Sequence, residues 1–523
     1  MDTNRKLIRS TGIIGFATLS SRILGFIRVV LFARLFGTSA VAQAFVVAFK
    51  LPNMLRDMIG EGASNAAIVP VLTEYRQKSS EDEYWDVARV ILNLMLLVVV
   101  TLSLLGVLFA PAIIRMIAPG FLKDPQKFSN AVLFARFLFP YIIFLGLVAY
   151  STGVLHSLQF FAAPAFASVI LNSTVICALL LILRYPVLGI KTLVAGVLLG
   201  GVLQVSLQVP FLWGRGFGLK GGFKVRHPVA ARVGRLLLPR FLGATVYQFS
   251  VLIDTVLASL GWIVGEGAVS ALDYAHRIIH LPLAIFGISL ATAALPRMSK
   301  EVASNDTEKL RKTISFSLNS VFTVMIPATA GLLVIAKPII QALFQRGEFG
   351  GYSTSITSDA LFFYAFGLFA YAGIKILVNA FYSMGDTKTP VKTAAISLAV
   401  NLVFNLMLMR PLKVGGLALA TSIAATVNLL ILFFILDRKI GDIGIRPIVA
   451  SLMKIVFSSV VMAVFTFLGK RFLLGSDISG LAGFVKLSIV ITGSGIIYLL
   501  AACIVGVEGP RRVWGMVVDR IKR

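Results

Sequence analysis

The sequence predicts an all-α polytopic membrane protein of fourteen transmembrane helices: two six-helix lobes related by a pseudo-two-fold axis, plus two C-terminal helices. Three observations carry that expectation. Hydrophobic residues make up 58% of the 523 positions and charged residues only 14%. Apolar runs of about 20 residues, enough to cross a bilayer core of ~30 Å, recur along the chain. The first half also returns, weakly, in the second.

Spans one to six lie near 11–36, 38–60, 86–112, 130–155, 161–183 and 188–213. A basic connection, 214–236, leads to spans seven to twelve near 237–261, 268–296, 314–340, 357–384, 390–411 and 415–436, and a last pair lies near 447–469 and 480–506. The expected domains are an N-lobe (1–213), the connection (214–236), a C-lobe (237–440), and a final segment (441–523) of two spans and a basic tail. The second span is interrupted by Lys50, Pro52 and Arg56, the eighth by His276, Arg277, His280 and Pro282. Interrupted helices of this kind are tolerated only against a cavity or within protein.

The net charge of +26 is read as topology rather than nucleic-acid binding, since many Lys and Arg occupy short connections. A cytoplasmic N-terminus puts the basic stretches Arg215 to Arg235, Arg297 to Lys312 and Arg438 to Arg446 on one side, together with the C-terminal tail. The start carries basic residues but no short apolar run with a cleavage site, so an uncleaved N-terminus is expected. Cys177 and Cys503 stand in apolar runs without a CxxC partner, which argues for packing and against a disulfide framework or a thiolate metal site.

The repeat shows at a shift of 226 positions, where Pro70, Pro164 and Gly189 fall on Pro296, Pro390 and Gly415. Gln43 to Pro52 resembles Asp273 to Pro282 at a shift of 230, about one helical turn of slippage. Halves duplicated in the same orientation predict an axis along the membrane normal and a binding site between the lobes. His280 then aligns with Lys50, and either side chain suits a carboxylate.

Charge inside the spans points to the cargo. Arg22, Arg28 and Arg34 interrupt the first apolar run, and Arg56 and Arg277 lie in later ones. Charge at bilayer depth is costly and marks a protected substrate pathway, so a common positive sign implies an anionic cargo. Arg22 and Arg28, six residues apart, lie about 120° out of phase on a helix. Gly25 between them would permit a bend. Arg34, near Gly37, is expected to snorkel to the interface. Asp254, deep in span seven, is a functional candidate by the same rule: a sodium ligand, a protonatable coupling site, or a partner for arginine. Asp273, His276 and His280 share a helical face, read as a polar cavity wall beside Arg277 ahead of a metal site. A multidrug exporter would favour acidic and aromatic residues for cationic drugs. A polyprenyl-phosphate transferase needs clustered carboxylates, and SEDEYWD at Ser80 to Asp86 reads only as a solvated loop.

Five blocks carry a family resemblance: SRILGFIR (Ser21 to Arg28), FKLPNMLRDMIGEGASNAAIVPVLTEY (Phe49 to Tyr75), HLPLAIFGISLATAALPRMSK (His280 to Lys300), LFQRGEF (Leu343 to Phe349) and FYSMGDTKTPVK (Phe381 to Lys392). With these blocks in order, the chain resembles the MurJ/MviN lipid II flippases of the multidrug/oligosaccharidyl-lipid/polysaccharide exporter superfamily. The resemblance implies a bacterial inner-membrane transporter, not an enzyme, with both termini cytoplasmic. Its cargo would be the undecaprenyl-diphosphate-linked peptidoglycan precursor, moved from the cytoplasmic to the periplasmic leaflet. It would work as a monomer among membrane lipids, in association with cell-wall synthesis proteins, with spans thirteen and fourteen forming a groove for the lipid tail.

The resemblance also assigns Arg22, Arg28, Arg56 and Arg277 to the cavity, Glu61 to a gate, and a neutral cation-site oxygen to Asn379. No cofactor is implied; sodium, protons or the membrane potential would drive the cycle. Gln43 and Val29 stand where the family usually has acids, so a gate ion pair there must be absent or rebuilt, with Asp273 as a substitute.

Overall fold

The computed structural model describes residues 2–56, 58, 67–218, 224–225, 227–475, 478 and 480–509, with the backbone alone at 2–11, 238–247 and 481. No strand occurs among the described residues. The chain divides into two compact units, Met1–Gln248 and Phe249–Arg523. The division falls inside a helix, some way past the expected basic connection, and places both final spans in the second unit.

In order, the first unit holds α1 (Asp2–Phe36), α2 (Ala40–Arg56), α3 (Val69–Lys78), α4 (Glu81–Leu108), α5 (Ala110–Ile117), α6 (Pro125–Leu138), α7 (Tyr141–Ser157), α8 (Ala162–Arg184) and α9 (Gly189–Trp213). Helix α10 (Pro228–Ala258) straddles the division. The second unit continues with α11 (Gly261–Val264), α12 (Ala268–Pro282), α13 (Ser289–Ala303), α14 (Thr307–Phe344), α15 (Gly351–Ala365), α16 (Leu368–Ser383), α17 (Lys388–Leu408), α18 (Lys413–Ile440), α19 (Ile445–Gly469) and α20 (Gly480–Val505).

Among the described residues eleven helices are long and apolar enough to cross a membrane, or twelve if α15 and α16, bent by 45°, form one span. Helix α2 has only 17 residues and carries Lys50 and Arg56, and the apolar stretch of α10 among the residues with described side chains, Gln248–Ala258, is shorter still. These are the second and seventh expected spans, so length and composition alone do not reach fourteen.

The breaks have identifiable causes, and side chains take up the backbone groups they free. Gly37, at φ +52°, ends α1 and donates its N–H to the Ala33 carbonyl at 2.7 Å. The expected fourth span divides into α6 and α7 around Pro140, which has no N–H to continue the ladder. Pro282 ends α12, and the chain passes through a π-helical turn, Leu283–Ile288, before α13. Helix α14 is kinked at Ile335, shortly before Pro338. Pro338 cannot bond the Val334 carbonyl, which accepts instead from Lys470 Nζ at 3.0 Å. At the α15/α16 bend the Phe363 and Ala365 carbonyls accept from Ser422 Oγ at 2.8 Å and Thr329 Oγ1 at 3.2 Å. Membrane helices tolerate irregular backbone on these terms.

Within the first unit α8 packs on α1 and α9, and α4 and α9 on α7. In the second, α14 touches α13, α15, α16, α19 and α20. The duplication is visible in local packing. Pro164 and Pro390 are each the third residue of their helices, α8 and α17. In the first unit Asn172 of α8 donates to the Ser21 carbonyl of α1 at 3.0 Å; in the second, Asn405 of α17 donates to Asp254 of α10 at 2.9 Å. The same helix pair is joined by an asparagine in both copies, but only the second copy offers a carboxylate.

The GDTKTP turn is fastened by Asp386, which accepts from the Thr389 N–H at 3.0 Å, Thr389 Oγ1 at 2.8 Å and Lys439 Nζ at 2.6 Å. The Lys439 ammonium first, and then the Thr389 N–H, hold this carboxyl well below the ordinary carboxylate range. A depressed carboxyl stabilises above its unfolded pKa and loses that contribution as pH falls through its folded value. Asp386→Ala is therefore expected to lower stability by ~1 kcal/mol at neutral pH, as for loss of a helix cap. Denaturation of both proteins across pH checks it, and the difference should vanish in acid.

Candidate functional site

The site residues of the first unit stand on α1 and α2. Helix α1 runs unbroken past Gly25, whose open face packs on Asn172. Arg22 is exposed, while Arg28, Lys50 and Arg56 are half-buried. Arg28 and Arg56 converge on one group: both lie within electrostatic reach of the hydroxyl of Tyr141, at the start of α7. Tyr141 is wholly buried, and its hydroxyl has no hydrogen-bond partner among the described residues. Arg34 is exposed. Gln43 is buried and spends its amide on the Thr38 carbonyl at 3.3 Å, and Val29 is buried, so neither position offers a charge. Glu61 lies outside the described residues.

In the second unit one face of α12 carries Asp273, His276, Arg277 and His280. Arg277 Nε donates to Asp273 Oδ2 at 2.8 Å, an i,i+4 pair in which 40% of the arginine side chain stays accessible. The Asp273 carboxylate orients the guanidinium and leaves its other N–H groups to be directed elsewhere. His276 and His280 bring their Nε2 atoms to 3.0 Å. Lys375, on α16, acts electrostatically on His280 together with Arg277, although its own side chain is exposed. This lysine is absent from the sequence expectations. The rule that singled out Arg277, a charge within an apolar run, applies to it equally.

Asp254 sits in a different polar cluster. Its carboxylate accepts from Asn405 Nδ2 at 2.9 Å and Thr421 Oγ1 at 3.2 Å. Asn401 closes the ring, accepting from Asn405 at 3.0 Å and donating to Thr421 at 3.2 Å. Asn379 is not part of it, for its amide bonds the Ala291 carbonyl at 2.8 Å. The oxygens beside Asp254 thus come from α17 and α18. One carboxylate with neutral side-chain oxygens suits a hard monovalent cation better than a divalent one, which calls for more negative charge. The Asn405 Oδ1 atom fits that reading, being buried without a hydrogen-bond partner among the described residues. No group of three or more His, Cys, Asp or Glu gathers among the described residues.

Comparison with known proteins agrees with the resemblance. The sequence model of the family described as "Lipid II flippase MurJ" matches residues 32–485. A "Probable lipid II flippase MurJ" of Vibrio cholerae is 35% identical over 441 residues, covering 82% of this chain and 83% of that one. One of Rhizobium meliloti is 35% identical over 469 residues, covering 87% and 85%. A solved structure described as "Lipid II flippase MurJ, inward closed conformation" superposes with a TM-score of 0.78 at 27% identity, covering 94% of this chain and 98% of that one. An inward-facing multidrug MATE transporter shares the fold at a TM-score of 0.67 and 16% identity. On this match, over most of its length, the chain belongs to the MurJ lipid II flippase family.

Proposed function

We propose that this protein moves lipid II from the cytoplasmic to the periplasmic leaflet of a bacterial inner membrane by alternating access, with arginines lining a central cavity for the headgroup. The reading rests above all on intramembrane cations in each unit: Arg28 and Arg56 about Tyr141 in the first, Arg277 and Lys375 beside His280 in the second. A diphosphate is an acceptor only, and guanidinium groups meet it with planar, bidentate, permanently charged donors. Arg22 and Lys50 extend the cationic path. No covalent step is required, and the prenyl tail stays in lipid along α19, whose Val449, Met453, Val456, Phe457 and Val460 form an apolar face.

Sodium bound at Asp254, Asn401, Asn405 and Thr421 supplies the asymmetry that directs the cycle. An inside-negative potential contributes ~2.3 kcal/mol per charge per 100 mV. Both termini are placed in the cytoplasm, and the monomer is the working unit, acting alongside cell-wall synthesis proteins.

The test is leaflet translocation of labelled lipid II in vesicles reconstituted with the purified chain. Protein-dependent movement of lipid II, with no movement of a cationic dye, is expected. Failure of well-folded protein to move lipid II would overturn the substrate assignment.

A further inference from the structure

We infer that His276 and His280 form a chelating site for a nitrogen-preferring transition-metal ion, Cu2+ above Ni2+ or Zn2+. The two residues lie one turn apart on α12, so the helix itself brings their rings together. Their Nε2 atoms are 3.0 Å apart and their ring centroids 4.2 Å. Metal–imidazole bonds of about 2.0–2.1 Å give an N···N distance of ~2.9 Å when two ligands meet at a right angle, and ~3.4 Å at a tetrahedral angle. The observed spacing lies near the right-angle bite of a tetragonal site, the geometry of Cu2+ and Ni2+.

Both rings are half-buried, so water reaches them to complete the coordination. One Nε2–H now serves as the link to the other ring, and ligation requires both Nε2 lone pairs, so that hydrogen moves to Nδ1 of its own ring. The surrounding charge selects among ions. Asp273 offsets Arg277, while the Lys375 charge acts on His280 and disfavours every dication. Only ions with strong affinity for imidazole overcome that repulsion, and the oxygen-seeking Mg2+ and Ca2+ do not. The Tyr364 ring packs edge-on against His276, with ring centroids 6.0 Å apart, and walls the site.

The experiment is a Cu2+ titration of the untagged full chain in lipid nanodiscs, followed by electron paramagnetic resonance. One ion per chain with two coupled imidazole nitrogens is expected. His276→Ala and His280→Gln should each weaken binding at least tenfold, while His156→Ala and His227→Ala leave it unchanged, with thermal melts confirming that each variant is folded. Lys375→Gln should tighten binding several-fold by removing the opposing charge, which a site elsewhere on the chain would not show. Absence of stoichiometric binding, a signal from a single nitrogen, or undiminished affinity in folded His276→Ala would overturn the assignment.

Discussion

Arg277→Ala is expected to cut the initial rate of lipid II translocation by at least thirtyfold, and Arg28→Ala by a similar factor. Removing one partner of a desolvated charge pair costs ~2–5 kcal/mol, because the group left behind has exchanged its water for that partner alone. For Arg277 the effect is compounded. The substitution leaves the Asp273 carboxylate, 2.8 Å away in the intact protein, as a negative charge that on the proposed function would repel an anionic headgroup. Arg277→Lys should recover only part of the rate, since an ammonium restores the charge but not the planar fork that, on the proposed function, would keep Nε on Asp273 and offer its remaining donors to a phosphate. Arg34→Ala, at an exposed position on the same helix as Arg28, should transport at the wild-type rate. Matched protein levels and melting temperatures separate lost transport from lost folding. Wild-type rates in both Arg28→Ala and Arg277→Ala would remove the arginines from the mechanism.

The sequence displayed individual charges far better than it displayed their partners. Arg28, Arg56, Arg277 and Asp254 were visible because each violates the apolar pattern around it, and the cost of burying charge makes such violations informative. The i,i+4 link from Asp273 to Arg277 follows from helical spacing alone. The surroundings of Asp254 did not. Asn401, Asn405 and Thr421 lie about 150 residues or more further along, and a neutral polar side chain in a membrane helix is common enough to carry no signal until the fold brings it to a carboxylate. Asn379, by contrast, turns its Nδ2 to the Ala291 carbonyl and is not bonded to the Asp254 cluster.

The break at Pro282 was legible because proline removes an N–H, whereas the bend between α15 and α16 depends on Ser422 and Thr329, distant residues that accommodate it. The span count fell short for a related reason. Helix α2, which carries Lys50 and Arg56 and packs against α6, need not be as long or as apolar as one facing lipid.

Sodium is expected to raise the melting temperature of the wild-type protein, and Asp254→Asn is expected to abolish that response. A ligand that binds only the folded state stabilises it by RT ln(1 + [L]/Kd), ~2.7 kcal/mol at a hundredfold excess over Kd. The carboxylate supplies the formal negative charge of the cluster with Asn401, Asn405 and Thr421, so exchanging it for an amide leaves neutral oxygens with little hold on a hydrated cation. Thr421→Val, which keeps the shape and deletes one oxygen, should weaken the response without erasing it, and Asn379→Ala should leave it intact because that amide is engaged elsewhere. Potassium at equal ionic strength serves as the control, since its larger radius suits a small ring of four side chains poorly. If Asp254→Asn kept the wild-type response to sodium, the cluster would be a structural hydrogen-bond network. The direction of transport would then have to come from the membrane potential acting on the arginines themselves.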